Sequence, residues 1–498
     1  MNIEIRNNLI TEISCDTLII SLYEDPNSIT KTNDSHLDTL VHEFLRDNPA
    51  SGKYGETNMI TILPSTGYKR ILLLGLGKEA DLTTDKIRQL SAIAIRNVRK
   101  ARSKTVAAIL YQTTTDKIHP MSVAKSMVEG TLLGNYQFLY YKTEAKDSKY
   151  IEKFTIINLS LSHQTQLEQA VLNATVIADS VNYARDLVNH PACYMTPSKL
   201  AASAVEIANQ EKNIEVSVLN TQEMQQLGMS ALLAVAQGST EAPKLITLKY
   251  IGDKSSTDLT AYVGKGITFD SGGISLKPSN NMGEMKGDMA GAAAVLAAMQ
   301  AIARLKPKTN LLAVIPCSEN MPSGCALKPG DVIKSMSGYT IEIISTDAEG
   351  RLLLADAITY AKKLGATKIV DIATLTGACV VALGTITSGV ITNDTAWCQQ
   401  VLAAAEQCGE KMWQLPAYDE YKEQIKSDIA DLKNSGGRFA GTITAGLFIE
   451  KFTANTPWVH IDIAGTSDSA SEKGYNVKGA TGAPVRTLIQ LAMNQEDL

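Results

Sequence analysis

Two short runs fix the kind of fold this chain can adopt. Leu311 to Pro316 is continuously apolar, and Lys368 to Ala373 is nearly so, broken only by Asp371. A strand with one wet face alternates apolar and polar residues, so a run without alternation reads as a central strand covered on both sides. Gly287 to Leu305 has the length and composition of a buried helix, apolar on most faces. Covered strands that alternate with helices give a layered α/β fold.

The same rhythm extends along the chain. Thr17 to Leu22, Met59 to Leu63, Arg70 to Leu74 and Val106 to Tyr111 are short and rich in β-branched residues. Between them, Lys86 to Arg102 places Ile87, Leu90, Ile93, Ile95 and Val98 on one broad helical face. Gln164 to Val188 reads as a long helix, and Asn189 to Pro197 as its irregular exit. Thr196 is suited to cap the next helix, with Pro197 in its first turn. Further on, Leu245 to Ile251, Leu259 to Val263 and Trp458 to Ile463 predict strands, and Pro484 to Met493 a closing helix. We expect an N-terminal α/β domain over 1–165, a connecting helix over 166–190, and a larger α/β domain over 191–498. No internal repeat or low-complexity stretch is present.

Charge and cysteine content narrow the function. Lys and Arg number 47 against 52 Asp and Glu, a formal charge of -5. That balance argues against a dedicated nucleic-acid binder, which shows a basic stripe or a basic total. The opening MNIEIRNNLITEIS lacks a basic stretch followed by an apolar one, so no secretory signal is expected. The longest apolar stretch, Met289 to Ala303, falls short of the roughly 20 residues that span a bilayer. The 7 cysteines are irregularly spaced and form no CxxC, which predicts reduced, mostly buried thiols in a cytoplasmic protein.

The chemistry-bearing window runs from Val263 to Leu354. It opens with VGKGITFDSGGISLKPS, where Gly264, Gly266, Gly272 and Gly273 surround Lys265, Asp270 and Lys277. Glycines this dense permit close backbone approach. Asp288 follows at the start of the apolar helix. STDAEGRLLLADA then sets Asp347, Glu349 and Arg351 at alternate positions. In an extended segment these three would share one side. Carboxylates aimed together repel unless a cation or proton lies between them. If Asp270 and Asp288 join them, four carboxylates face Lys265, Lys277 and Arg351, which favours a divalent metal. Ligation by carboxylates without histidine suits Mg²⁺, Mn²⁺ or Zn²⁺. None of the 6 histidines lies in this window, and neither HExxH nor GxSxG occurs. GLGK at Gly75 to Lys78 lacks the rest of a phosphate-loop signature and reads as a turn.

Taken together, GKGITFDSGG, KGDMAGAAAV around Asp288 and STDAEGRLLLADA resemble the leucyl aminopeptidase family, two-metal exopeptidases of the cytosol. TLTG (Thr374 to Gly377), GGRFAGTIT (Gly436 to Thr444), PWVHIDIAG (Pro457 to Gly465) and GATGAPVR (Gly479 to Arg486) add to the match. The resemblance implies that Lys265, Asp270, Asp288, Asp347 and Glu349 hold two metal ions. These would be Mn²⁺ or Zn²⁺, with Mg²⁺ or Co²⁺ as further options at the more exchangeable site. It implies that Lys277 keeps its charge and faces the substrate carbonyl. Arg351 would hold a bicarbonate that acts as general base, helped by backbone near Leu375. Met285, Thr374 and Gly377 would wall the pocket for the first side chain. Substrates would be short peptides with a free N-terminus. The N-terminal domain would be macro-domain-like, the larger domain an α/β/α catalytic unit with a central mixed sheet, and the assembly a homohexamer of two stacked trimers. No membrane partner is expected, and nucleic-acid or nucleotide binding stays as the lesser alternative, disfavoured by the acidic balance. Two departures from the family pattern stand out: Ser345 replaces the usual Asn before TDAEGRL, and Cys193 lies where many members have Asn.

Overall fold

A computed structural model describes residues 1–7, 9–25, 32–48, 52–62, 67–111, 118–144, 151–160 and 162–495. The chain forms two compact α/β units, one of residues 1–179 with 471–477, the other of 180–470 with 478–498. The return of 471–477 to the first unit was not foreseen from sequence.

The first unit is built on a six-stranded sheet. Its strands are β1 (Asn2–Arg6), β2 (Cys15–Tyr23), β3 (Thr57–Thr61), β4 (Tyr68–Gly77), β5 (Thr105–Ile109) and β6 (Lys153–Ile157), in the order β1-β6-β5-β2-β4-β3. All pairs are parallel except β3–β4. Every residue of β2 from Thr17 to Tyr23 is buried, as a covered central strand requires. The helix Thr84–Lys100 starts where the Thr83 side chain accepts the Lys86 N–H. It buries Ile87, Leu90, Ile95 and Val98 as expected, while Ile93 is half-buried. The expected strand at Met59 to Leu63 begins two residues earlier, and Leu63 lies outside the described residues. GLGK is not a simple turn: Gly75, Leu76 and Gly77 finish β4, and only Gly77, at φ +78, takes the left-handed region.

The second unit holds a nine-stranded mixed sheet. In chain order its first strands are β7 (Ile214–Leu219), β8 (Lys244–Ile251), β9 (Thr260–Gly264), β10 (Gly266–Asp270) and β11 (Asn310–Asn320). β12 (Val332–Lys334) and β13 (Thr340–Glu342) leave it for a small side sheet. β14 (Lys368–Ala373), β15 (Ser388–Thr392) and β16 (Met412–Gln414) return to it. β17 (Leu432–Lys433) completes the side sheet, and β18 (Trp458–Asp462) the main one. The main order is β16-β15-β18-β14-β9-β11-β8-β7, with β10 also paired to β11. The four central strands β18, β14, β9 and β11 run parallel, as does β10 beside β11.

Both sequence runs that predicted buried strands are here, in β11 and β14. The apolar helix forms as Ala290–Leu305 and packs on β9, β11 and β14. Met282–Leu305 is long and apolar enough to cross a membrane by composition, yet 83% of its apolar window is buried inside the protein. Asp371, the one acid in β14, is wholly buried. Its register partner His460 meets it at 2.6 Å through Nδ1, and the Trp458 indole N–H donates to its other oxygen. Pro197 opens its helix under the Thr196 cap as the sequence predicts. All seven cysteines are free; Cys193 and Cys325 are exposed and the other five buried.

Candidate active site

Parallel strands bring their carboxyl ends to one edge of a sheet, where ligands of α/β proteins gather. Lys265 directly follows β9, Asp270 ends β10, Asn320 ends β11, Thr374 follows β14 and Asp462 ends β18. Asp288 sits just before the helix Ala290–Leu305, and Glu349 immediately precedes the helix Gly350–Lys363.

These residues form one network, buried around Lys265, Asp270, Asp288 and Glu349, half-buried at Lys277 and Thr374, and exposed at Asp347. The Lys265 ammonium donates to Asp288 Oδ1 at 2.8 Å and to the Thr374 carbonyl at 2.9 Å. It also pairs with Glu349 Oε1 at 2.8 Å. The Thr374 hydroxyl donates to Asp288 Oδ1 at 2.8 Å. Lys277 pairs with Asp270 Oδ2 at 2.8 Å and with Asp347. Oxygens of Asp270, Asp347 and Glu349 all lie within 4.8 Å of one another. Arg351 is buried and donates from Nη1 to the Asn434 carbonyl at 2.7 Å, while its Nε has no hydrogen-bond partner among the described residues.

Close packing permits this crowding. A Cβ on Gly350 would stand 2.5 Å from Lys265 Cε, and one on Gly291 would stand 2.2 Å from the Ile372 carbonyl oxygen. Neither position accepts a side chain without displacing the site or its strand.

The expected alternation of Asp347, Glu349 and Arg351 along an extended segment is not what gathers them. Residues 346 and 347 form a turn, Glu349 has helical φ and ψ of -80 and -37, and Arg351 lies in the first helical turn. Asp347 and Glu349 still converge, because the turn folds the first back towards the second. Backbone demands win over local alternation: the helix start needs its own geometry, and Asn434 holds the loop. The Asn434 side chain accepts from the Ile344 N–H and donates to the Ser345 and Ala348 carbonyls. Ser345 contributes a weak bond of 3.3 Å from the Asp347 N–H.

Burial and charge pull against each other here. Burial works to lower the Lys265 pKa, but Asp288, Glu349 and Asp270 outweigh it and hold the amine above its ordinary value as an ammonium. Lys277 is raised in the same way against desolvation, by Asp270 and Asp347. Burial, reinforced by neighbouring carboxylates, lifts the Asp288, Asp347 and Glu349 carboxyls above the usual range. Arg351 is pushed down to about 10 by burial, against the pull of Glu349 and Asp462. Four carboxylates against two lysines and one arginine leave a negative excess, and the buried Glu349 Oε2 has no hydrogen-bond partner among the described residues. Such a donor set fits divalent cations.

Of the other expected residues, Met285 lies half-buried on the turn Met282–Gly287, and its carbonyl accepts the Asp288 N–H at 3.3 Å. Gly377 is exposed at the start of a short helix. The Leu375 N–H is already given to Asp462 Oδ1 at 3.2 Å. Sequence reading assigned nothing to Asn320, Asn434 or Asp462. Asp462 lies inside the quoted PWVHIDIAG, whereas Asn320 and Asn434 belong to no quoted motif.

The sheet and its acid-rich edge define an α/β protein with a donor set suited to divalent cations. Residues 182–489 match the catalytic domain of the cytosol aminopeptidase family, and 19–145 match that family's N-terminal domain. A probable cytosol aminopeptidase of Alkaliphilus oremlandii (strain OhILAs) is 48% identical over 500 residues, with 100% of each chain covered. A mutant tomato leucine aminopeptidase superposes with a TM-score of 0.88 at 33% identity, covering 99% of this chain and 96% of that one. The bottromycin maturation enzyme BotP in complex with Mn superposes at 0.86 and 32% identity, covering 97% and 99%. The chain belongs to the cytosol aminopeptidase family. It is a metal-dependent aminopeptidase, a hydrolase of peptide bonds.

Proposed function

We propose that the enzyme releases N-terminal leucine and other, mainly apolar, residues from short peptides, using two divalent ions and a bicarbonate general base. The observation that carries this reading is the convergence of Asp270, Asp347 and Glu349 within 4.8 Å beside the ion-paired Lys277. Lys265, Asp270, Asp288, Asp347 and Glu349 would hold the ions. When bound, such a pair supplies an activated water and Lewis-acid polarisation at neutral pH. To serve as a ligand Lys265 must give up its proton, and a nearby divalent charge favours that loss.

The chain's own residues supply the rest. Lys277, half-buried and held as a cation, would donate to the oxygen of the scissile carbonyl as it gains charge. Arg351, with its free buried Nε, is the better supported anion holder; the Leu375 N–H is already engaged. Met285, Thr374 and Gly377 would shape the pocket for the first side chain. We assign the chemistry to a catalytic domain over 191–498, joined by a helix over 166–190 to an N-terminal domain over 1–165. A cytoplasmic location accords with the naming of the Alkaliphilus relative. A homohexamer and Mn²⁺ or Zn²⁺ as the working metal complete the reading; the Mn complex of BotP is consistent with the first of those ions.

The test is hydrolysis of leucine p-nitroanilide by metal-stripped protein, then with Mn²⁺ or Zn²⁺ restored, beside the N-acetylated substrate. Activity should return with metal and be absent on the acetylated compound. Equal turnover of the acetylated compound would refute exopeptidase action.

A further inference from the structure

Asn320 is the last residue of β11 and only 4% exposed. In the parallel register of β10 and β11 it stands opposite Asp270. Its carbonyl accepts from both the N–H (3.0 Å) and the hydroxyl (2.7 Å) of Ser271. Its side-chain amide nitrogen donates to Asp270 Oδ1 at 2.8 Å and to the Thr346 carbonyl at 3.0 Å. Both amide hydrogens are therefore used, and the Thr346 carbonyl has no proton to give back. The amide orientation follows: turned over, it would set oxygen against two oxygens.

The consequence falls on Asp270. Its Oδ1 receives two donors, Asn320 Nδ2 and the Gly272 N–H at 2.9 Å. Two hydrogen bonds occupy the in-plane lone pairs of a carboxylate oxygen. Oδ2, which faces Lys277, is left as the oxygen with capacity for a cation. The second Asn320 bond reaches the residue before Asp347. One neutral side chain thus ties the Asp270 strand end to the turn that carries Asp347 and Glu349, and adds no charge to a site already rich in carboxylates. Gly273, at φ +67, keeps the far side clear: a Cβ there would lie 2.8 Å from Asn320 Oδ1.

We propose that Asn320 is a positioning residue of the cation site: it selects Asp270 Oδ2 as the coordinating oxygen and sets the spacing between Asp270 and the Asp347–Glu349 turn. This rests on the metal-dependent reading above.

The experiment is Mn²⁺ titration of the metal-stripped full-length chain, by calorimetry or chelator competition, with thermal unfolding of the metal-free proteins alongside. Asn320→Leu keeps the branched shape and Asn320→Ala removes it; both delete the two donors. Partners of metal ligands are typically worth about 10–100-fold in affinity. We expect Mn²⁺ binding to weaken by that factor in whichever variants fold, without a matching loss of metal-free stability. Ser275→Ala is the control, because Ser275 holds the same turn through the Thr346 N–H but does not touch Asp270. It should bind Mn²⁺ nearly as the parent does. Affinity within twofold of the parent in the Asn320 variants overturns the proposal. So does an equal loss in Ser275→Ala, which would reduce Asn320 to general loop support. A parent chain that binds no Mn²⁺ would instead overturn the metal reading itself, and this inference with it.

Discussion

Each unit of the molecule buries a cationic side chain, and the two are treated in opposite ways. In the first unit Arg88 pairs with Glu129 at 2.6 Å, both almost fully buried, and Asp85 adds a contact at 3.1 Å from a more exposed position. The pair itself sets one cation against one buried carboxylate, with Asp85 at its more exposed rim. In the second unit Lys265 meets Asp288 and Glu349, and Lys277 meets Asp270 and Asp347. Here carboxylates outnumber the lysines; Asp270 ends a parallel strand, Asp288 and Glu349 precede helices, and Asp347 lies in a turn. A matched buried pair is weak evidence of anything beyond structure. An unmatched buried cluster is costly to keep, which points to a ligand that restores the balance. The sheets are alike in kind; the difference lies in where uncompensated charge is tolerated.

Four substitutions would break or sharpen this contrast. Glu129→Ala should act on stability alone. It strands a buried guanidinium, for which about 3–5 kcal/mol is usual, with the lower figure expected because Asp85 remains. Denaturant unfolding reads the loss, and an unchanged midpoint would show the pair to be dispensable. Activity per folded molecule should be unaffected.

Lys277→Ala should do the reverse. Removing one donor to a developing oxyanion costs about 10²–10³ in kcat, with little change in unfolding. Steady-state kinetics with saturating Mn²⁺ decide it; a change confined to KM would deny Lys277 a role in the transition state.

Gly350→Ala separates helix stability from site geometry. Alanine is the better helix former by about 1 kcal/mol, yet its Cβ would press on Lys265. A displacement near 1 Å can cost about 100-fold. Reduced kcat/KM in a protein no less stable is the expected pairing, and full activity would show that Lys265 has slack.

The smallest effect should come from Asp356, buried on the helix that Glu349 precedes. Burial raises its carboxyl to about 7, although the Leu232 and Met336 N–H groups donate to it. Between the unfolded carboxyl value and about pH 7 the native state then holds a proton that the unfolded chain has released. This group's contribution is therefore fully present at low pH and declines as pH rises through that window. Asp356→Asn should flatten stability against pH there. An identical slope in both proteins would contradict it.

By itself the sequence determined the layers and offered the candidates for the site. The unalternated runs of β11 and β14 and the apolar helix Ala290–Leu305 appear where their composition places them, because burial on two faces leaves a local mark. Lys265, Asp270, Asp288, Asp347 and Glu349 are singled out through the family resemblance of the motifs that carry them. Tertiary structure alone decided how they meet. The turn at 346–347 replaced the extended alternation that sequence suggested, since a helix start imposes its own backbone geometry. Asn320, Asn434 and Asp462 carry no unusual spacing. Each is a single polar residue whose partners are set by strand register or by a loop distant in sequence. The return of 471–477 to the first unit is equally silent in composition. Periodicity reports which face of an element is buried, whereas a hydrogen bond between distant segments exists only once register and turns have fixed both ends.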